Sequence, residues 1–403
     1  MKRKYIIFIL LILIATNLLV ACNFEKDFKI GKNETSLSKN AEFEENPIEE
    51  IPEEIPEPKI TSASILATGD IMFHMPQNKA AFNSDSKTYD YNDNFKYVKK
   101  YIQSADLAVA NFETVVLEAK ECAGFPNFNS PIETLYALKD AGFHILTTAN
   151  NHCLDQGKSG LINTIDAIES AGMKNIGTYK TPNPSIMIEE INEIKMGLLS
   201  YSYGFNGMKF TLTEEEREYM ISEINEDKIK EDIEKAKDLG ADIVIVFIHW
   251  GDEYHNEPSE EQIELGKKMV EWGANIIFGS HPHVIQKSEI IKYNNQDNFI
   301  IYSMGNFLSN QRREIINNKF TEDGIMVKVE IEKNFDENKT QIKNIQYIPT
   351  WVRKYRAENK LKYEIIPVEE FLKDEVLLNN LGEDEKIKIK ESFHNTMEKM
   401  IEY

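Results

Sequence analysis

The feature that most limits the folds open to this chain is an order that recurs along it. An amphipathic helix is followed by a glycine, an unbroken apolar strand and then a polar loop. Leu135 and Leu138 mark the apolar face of one such helix, and Gly142 ends it. The strand that follows spans residues 143–149. Because unbroken apolar strands between helices are buried on both faces, this order predicts an α/β domain with its sheet covered on both sides.

The order returns farther along the chain, with a predicted helix at residues 229–239 and an apolar strand at 243–248. Capping boxes are expected to start two helices, at residues 130–133 and 259–262, because Ser and a Glu or Gln three residues later can satisfy free backbone amides. From Val368 onward the pattern predicts charged, amphipathic helix.

Side chains that bind metals gather at the ends of the predicted strands. Five of the eight histidines lie at strand ends or in the loops just after them, namely His74, His152, His249, His281 and His283. Other strands end in Asp70, in Asn111 and Glu113, in Asn151, and in Asn306. Open α/β sheets place their chemistry beyond the carboxyl ends of the strands. Imidazole, carboxylate and amide oxygen bind hard or borderline divalent metals, so these residues are candidate ligands.

Each of these residues also has an ordinary structural explanation when it is taken alone. Asp70 is typical of a turn or helix cap, Glu113 of a solvated side chain, and His249 of a hydrogen-bonded residue beside Trp250. Short motifs of this kind arise readily by accident. Their arrival together at the ends of separate strands favours one shared metal site over several unrelated caps.

The N-terminal residues predict a compartment. Three basic residues and then a short apolar run, ending in Leu19-Val20-Ala21-Cys22, are typical of a secretory signal and resemble a bacterial lipobox. This resemblance implies cleavage before Cys22 and acylation of its thiol; an uncleaved anchor is the alternative. Either way, the rest of the chain is expected on the extracytoplasmic face of the cell membrane, and acylation of Cys22 would hold it there through the lipid. Residues 22–60 are rich in Pro and Glu and are expected to form an extended tether.

The predicted organisation is thus a signal peptide at 1–21, the tether at 22–60, a large domain at 61–350 and a mainly helical extension at 351–403. The chain has 46 Lys and Arg against 67 Asp and Glu, a formal net charge of −21. This charge argues against nucleic acid as a partner. If Cys22 is acylated, Cys122 and Cys153 remain as a candidate disulfide pair, which the sequence does not decide.

Several motifs together resemble one known family. They fall at residues 67–72, 110–113, 149–157, 249–254, 279–284 and 302–307. In this order and spacing they resemble the CapA family of capsule and poly-γ-glutamate synthesis proteins, whose domain is similar to the calcineurin-like metallophosphatases. The resemblance covers residues 64–310. It implies a four-layer α-β-β-α sandwich of the metallophosphatase type.

The resemblance also implies a site with two divalent ions, whether Mn, Fe, Zn or Mg. Asp70 and His283 would hold the first ion, and Glu113 would be shared. Asn151, His249 and His281 would hold the second ion. The catalytic residue of the site would be His152, which would assist the leaving oxygen. Four further residues are expected to line the site: Asn111, Asp155, Glu253 and Asn306.

The chain departs from the phosphatase pattern at two positions. That pattern has a histidine two residues after the first aspartate, where this chain has Met72. His74 lies two residues farther along, and the spacing leaves open whether it is a ligand. The shared carboxylate is Glu113 instead of the usual aspartate, and its extra methylene alters the expected separation of the ions.

Two functions of different classes follow from the sequence. The first is a metal-dependent phosphoesterase acting on a capsular or cell-wall polymer or another phosphoester, alongside other capsule-synthesis membrane proteins. The second is a surface lipoprotein that binds or guides a capsular polymer without turnover. A fold that keeps its ligands does not by itself establish catalysis.

Overall fold

The structure, a computed structural model, describes residues 58–401 and residue 403. The predicted signal peptide, Cys22 and most of the predicted tether lie outside the described residues. The strands are β1 (Ile60–Ile71), β2 (Phe82–Asn83), β3 (Thr88–Tyr89), β4 (Leu107–Phe112), β5 (Ile145–Thr147), β6 (Lys174–Ile176), β7 (Met187–Ile191), β8 (Ile194–Ser202), β9 (Ile243–His249), β10 (Ile276–Ser280), β11 (Ser288–Tyr293), β12 (Gln296–Ile301), β13 (Asn306–Leu308), β14 (Asp323–Asn334), β15 (Lys339–Ala357) and β16 (Lys360–Pro367).

The helices lie between these strands and at the C-terminal side of the fold. They are α1 (Met75–Ala81), α2 (Asn92–Phe95), α3 (Lys99–Ile102), α4 (Glu133–Ala141), α5 (Gly157–Ser170), α6 (Glu214–Met220), α7 (Glu226–Asp238), α8 (Glu260–Trp272), α9 (Arg313–Ile316), α10 (Val368–Lys373), α11 (Glu375–Asn379) and α12 (Glu383–Met397). No helix of the described residues has both the length and the apolar character needed to cross a bilayer.

Two mixed sheets form the centre of the fold. The first has the strand order β16-β15-β14-β1-β4-β5-β6, with β13 paired to β1, and the second has the order β11-β12-β10-β9-β8-β7. Strands β1, β4, β5 and β6 are parallel, as are β8, β9, β10 and β12. Antiparallel strands form both edges of the second sheet and one edge of the first, whose other edge is the parallel strand β6. The carboxyl ends of the parallel strands in each sheet therefore lie at the same end of that sheet.

Three apolar layers hold the sheets and helices together. Ile65 and Val109 of the first sheet pack against Phe247 and Phe278 of the second, in a core between the two sheets. The outer face of the first sheet packs against α4 and α5. The outer face of the second packs against α7 and α8. The predicted four-layer α-β-β-α sandwich is confirmed.

Two of the three helix ends that were predicted at named residues are correct. Gly142 and Gly273 end α4 and α8 with φ of 111° and 113°, a left-handed conformation that glycine adopts without a steric cost. The capping box of Ser259 is present at α8. The box expected at Ser130 is wrong, because α4 begins after Ile132 and the Ser130 hydroxyl instead pairs with Thr114 at 2.8 Å.

The C-terminal part of the chain is built differently from the expected helical extension. The predicted boundary at residue 350 falls inside β15, and β16 adds another strand to the first sheet. Helical structure returns at Val368, as expected, in α10 to α12. These helices pack on Trp351 and Ile366, so they cover strands of the same sheet that carries part of the site.

The candidate disulfide is not formed. Cys122 and Cys153, the cysteines of the described residues, are both free thiols. The Cys122 sulfur accepts a hydrogen bond from Asn78 at 2.9 Å. Cys153 is buried in an apolar cluster with Leu154 and Leu161. Burial raises the pKa of the Cys153 thiol, so this side chain behaves as a small apolar group.

Candidate metal centre

A close approach between β1 and Gly305, the residue before β13, fixes the first aspartate of the site. A Cβ atom on Gly69 would lie 1.9 Å from the carbonyl oxygen of Gly305, so only glycine fits there. The neighbouring amide of Asp70 donates to the same oxygen at 3.0 Å. The motifs around Gly69 and Gly305 therefore meet in space, and their close approach holds Asp70 near the end of β1, fully buried.

The first group of candidate ligands consists of Asp70, Glu113 and His283. One ligand atom from each lies within 4.8 Å of the others. His283 Nδ1 lies 3.0 Å from Asp70 Oδ2, and His283 Nε2 lies 3.8 Å from Glu113 Oε1. Asp70 and His283 are separated by 213 positions in the chain. Their proximity follows from the strand order of the two sheets.

The second group shares Glu113 and adds His249 and His281, again with ligand atoms within 4.8 Å of one another. His249 Nε2 lies 3.6 Å from Glu113 Oε1. It also lies 3.1 Å from the amide oxygen of Asn151, which places this oxygen beside the group. The structure thus gathers the six residues expected as ligands at the edge between the two sheets, with Glu113 between the two groups.

Glu113 has the properties of a carboxylate that a cation would complete. It is fully buried, and within the described part of the chain neither of its oxygens has a hydrogen-bond partner. Burial and the nearby carboxylate of Asp70 raise the pKa of Glu113 well above its ordinary value. A buried carboxylate without partners is costly. Divalent cations supply the missing charge, so this donor set fits a metal site.

The surrounding imidazoles are suited to the same role. Burial, and after it the neighbouring imidazoles, lower the pKa of His249 and His281 well below the ordinary value. Both rings are therefore neutral near pH 7, which is the form that binds metals. His281 Nδ1 is buried and has no hydrogen-bond partner among the described residues, so its ring is not committed to another contact.

Asn111 and Ser280 belong to neither ligand group, but their side chains contact candidate ligands. The Asn111 amide donates to Asp70 Oδ1 at 2.8 Å and lies 3.3 Å from His249 Nδ1. Ser280 Oγ lies 3.0 Å from the same Nδ1. When Nδ1–H donates to Ser280, Nε2 of His249 is free as a ligand. Contacts of this kind orient metal ligands.

His152 is held in a separate arrangement beside these groups. Its Nδ1 lies 2.8 Å from Asp155 Oδ2, and the same oxygen accepts the amide of Phe128 at 2.7 Å. The Phe128 ring packs edge-on against the imidazole with centroids 4.8 Å apart. With Nδ1 engaged by Asp155, the Nε2 atom is the one left to exchange a proton with a bound molecule.

His74, whose role as a ligand the sequence left open, belongs to none of the candidate ligand groups found among the described residues. Its Nδ1 lies 3.3 Å from Gln77 Oε1 and accepts the Asn310 amide at 3.3 Å. Burial lowers the pKa of His74 to about 4, so the ring is neutral. Met72, in the position of the usual histidine, is buried.

The loop that carries two of the histidines is strained. His281 and His283 have φ of 98° and 57°, in the left-handed region that side chains other than glycine and asparagine rarely adopt. Such residues cost on the order of 1–3 kcal/mol each and persist only where the surroundings hold them. Asn306 provides one such hold, because its amide donates to the His283 carbonyl at 3.2 Å and to the Thr321 carbonyl at 2.9 Å.

Two residues near the site were missed at the level of sequence. The Tyr203 ring lies 4.4 Å from the His281 ring and 6.3 Å from the His249 ring, measured between centroids. The Asn206 amide lies 3.5 Å from His152 Nδ1. Tyr203 directly follows β8, a strand that the repeated order did not indicate. The same strand-end rule would have found this residue had β8 been recognised.

Comparison with known proteins gives a family match. The family described as "Bacterial capsule synthesis protein PGA_cap" matches residues 64–311. The "Capsule biosynthesis protein CapA" of Bacillus anthracis is 35% identical over 227 residues, which are 54% of this chain and 54% of that protein. The "PGA biosynthesis protein CapA" of Bacillus subtilis (strain 168) is 29% identical over 273 residues, 64% of this chain and 67% of that protein.

The chain therefore spans about half the length of the first of these relatives and two thirds of the second. Among solved structures, the calcineurin-like phosphoesterase YfkN from Bacillus subtilis is similar with a TM-score of 0.42 and 16% identity. That match covers 84% of this chain and 99% of the other.

Proposed function

The chain belongs to the family of bacterial capsule synthesis proteins described as PGA_cap, and we propose that it hydrolyses a phosphoester at a two-metal site. The observation that supports this most is Glu113, a buried carboxylate without hydrogen bonds that lies between Asp70 and His283 on one side and His249 and His281 on the other. Two divalent ions bound there would polarise the phosphoryl group and activate a water.

His152 is proposed to protonate the leaving oxygen. The Asp155 carboxylate accepts a hydrogen bond from Nδ1–H and so fixes the ring orientation, while Nε2 carries the proton that is given up. Phe128 packs on the ring and excludes water from one side. The ligands and the proton donor are thereby on separate residues, and their roles can be tested separately.

The test uses the full chain, purified and loaded with manganese, with a generic phosphodiester as substrate. His152→Ala is expected to lower kcat on the order of 10²–10⁴-fold and to keep its metal content, because only proton transfer is removed. His281→Ala is expected to lose metal, measured by elemental analysis. Equal loss of metal in both variants would contradict this division of roles.

A manganese-loaded wild type with no turnover on phosphoesters would contradict hydrolysis. It would leave the second function, in which the protein binds or guides a capsular polymer. Capsule and released poly-γ-glutamate in a deletion strain would then separate a role in polymer assembly from no role at all. Binding of the metal-loaded chain to purified polymer would test direct contact.

We further propose that the protein acts on the outer face of the membrane through an acylated Cys22. The lipobox-like residues before Cys22 and the basic, apolar start of the chain support this placement. Stable anchoring requires more than one acyl chain, at roughly 0.8 kcal/mol per buried CH₂. Cys22→Ser is expected to move the protein out of the membrane fraction or leave it uncleaved. A cleaved Ser variant that stays with membranes would contradict the lipid anchor.

A further inference from the structure

A short turn after β9 is fastened tightly to the histidine loop. The Tyr254 amide donates to the carbonyl of Pro282 at 2.7 Å, between the two loop histidines, and the Trp250 amide donates to the Ser280 carbonyl at 3.1 Å. The Trp250 indole donates to the Tyr302 carbonyl at 2.9 Å. Tyr254 itself has φ of 67°. A strained residue held by these contacts sets the direction of its neighbour, Glu253.

Glu253 reaches the same histidines from the solvent side. A carboxylate oxygen of Glu253 and ring nitrogens of His281 and His283 lie within 4.8 Å of one another. The two histidines are buried, whereas Glu253 is exposed. His281 Nδ1 has no hydrogen-bond partner among the described residues, although the ring is buried. The open side of the candidate metal centre therefore carries a third group with the composition of a cation site.

The charge of Glu253 is unfavourable unless it has such a role. An exposed carboxylate at the mouth of a site for an anionic phosphoester repels that substrate. Asp252, the preceding residue, is also exposed, but it belongs to none of the groups with metal-ligand geometry in the described residues. Glu253 thus differs from its neighbour in geometry while it shares the same charge.

We infer that Glu253 is a ligand for a divalent cation on the solvent side of the centre, together with His281 and His283. This inference rests on the proposed function to the extent that the buried groups bind ions. It adds to the six buried candidate ligands a carboxylate that closes the open side. The turn from Gly251 to Tyr254 is then a device that delivers this carboxylate.

The test is a titration of Mn²⁺ into the metal-free full chain. Calorimetry measures the affinity, and the electron paramagnetic resonance spectrum reports the surroundings of the bound ion. Glu253→Gln is expected to weaken binding of at least one ion by roughly 10-fold or more, since even indirect contacts to metal ligands contribute 10–100-fold. Asp252→Asn removes the same charge one residue away and is expected to change binding by less than about 2-fold, because an exposed charge acts only weakly through solvent. The spectrum is expected to change only in the Glu253 variant.

Equal effects of the two variants would overturn the inference, because they would show a general effect of charge. No effect of Glu253→Gln on affinity or spectrum would overturn it as well. Neither result depends on turnover, so a wild type that binds Mn²⁺ but does not hydrolyse phosphoesters contradicts the proposed activity alone. A wild type that binds no Mn²⁺ contradicts both proposals.

Discussion

Two fully buried glutamates, Glu113 and Glu322, lie in different surroundings within the same fold. The Glu322 carboxylate contacts the guanidinium groups of Arg312 and Arg313, each at 3.1 Å, and accepts the Trp351 indole N–H at 3.2 Å. The Glu113 carboxylate has no hydrogen bond among the described residues. Imidazole nitrogens lie 3.6 and 3.8 Å away from it.

The difference separates a charge that the fold itself neutralises from one that the fold leaves without a countercharge. Glu322 is neutralised by cations that the chain itself supplies, so the fold around β14 and β15 is complete without a ligand. Glu113 lies beside His249 and His281, whose imidazoles bind cations but carry no positive charge of their own near pH 7. A buried charge requires a partner, and only one of the two sites contains it.

The largest effect is expected for Glu322→Gln. This change leaves the buried guanidinium of Arg312 without its countercharge, and breaking a buried ion pair typically costs about 3–5 kcal/mol of unfolding free energy. Urea unfolding measures the loss. Glu226→Gln is the control, because Glu226 pairs with Lys268 at the exposed surface and such pairs contribute about 0–1 kcal/mol. Equal losses in both variants would show that Glu322 is not a structural charge.

The neighbouring residue, Asp323, sharpens the comparison through pH. Burial raises the pKa of Asp323 from 3.8 to about 7. The folded protein then keeps a proton that the unfolded chain releases, so this residue lowers stability as pH rises from about 4 to 7, by about 1.4 kcal/mol per pH unit. Asp323→Asn is expected to lack this slope, so the difference in unfolding free energy between wild type and variant is expected to change from pH 4 to 7. A difference that is constant from pH 4 to 7 would contradict the raised pKa.

The third prediction compares the same change, Glu to Gln, at the two buried glutamates, and the measured quantity is Mn²⁺ binding. Glu113→Gln is expected to weaken Mn²⁺ binding by at least about 10²-fold, because it removes a direct ligand while contacts behind ligands already contribute 10–100-fold. Glu322→Gln is expected to bind Mn²⁺ as the wild type does. Thermal unfolding with and without Mn²⁺ reports both, since bound metal raises the Tm. An increase in Tm of equal size in both variants would remove Glu113 from the centre.

Sequence patterns predicted the candidate ligands around Glu113 but not the ion pairs around Glu322. The candidate ligands were found because strand ends converge at one edge, a rule that needs only the apolar runs before Asp70, Asn151 and His249. Nothing in the sequence marks Glu322 as buried, since Arg312, Arg313 and Glu322 are equally typical of a solvated surface. Arg312 and Glu322 are buried through tertiary contacts, because β15 brings Trp351 against both of them.

Other differences have the same physical origin in tertiary contacts. The Ser130 side chain was free to cap a helix by its local pattern, but it is taken by Thr114. The compartment expected from the N-terminal residues would permit a disulfide between Cys122 and Cys153, yet each packs with different neighbours. Conversely, the capping box at Ser259 was predicted because all of its contacts lie within one turn.

The smallest effect is expected at Asn111, which touches a ligand of each group without joining either. Its amide donates to Asp70 at 2.8 Å and lies 3.3 Å from His249 Nδ1. Removing it in Asn111→Ala leaves both ligands in place but less well oriented, so Mn²⁺ affinity is expected to fall by about 10–100-fold. Ser280→Ala is the matched variant, because it removes a contact to His249 alone. If Asn111 orients candidate ligands of both groups, its loss weakens the binding of both ions. The loss of Ser280 then weakens the binding of one ion. The same single step weakened in both variants would show that Asn111 serves His249 only.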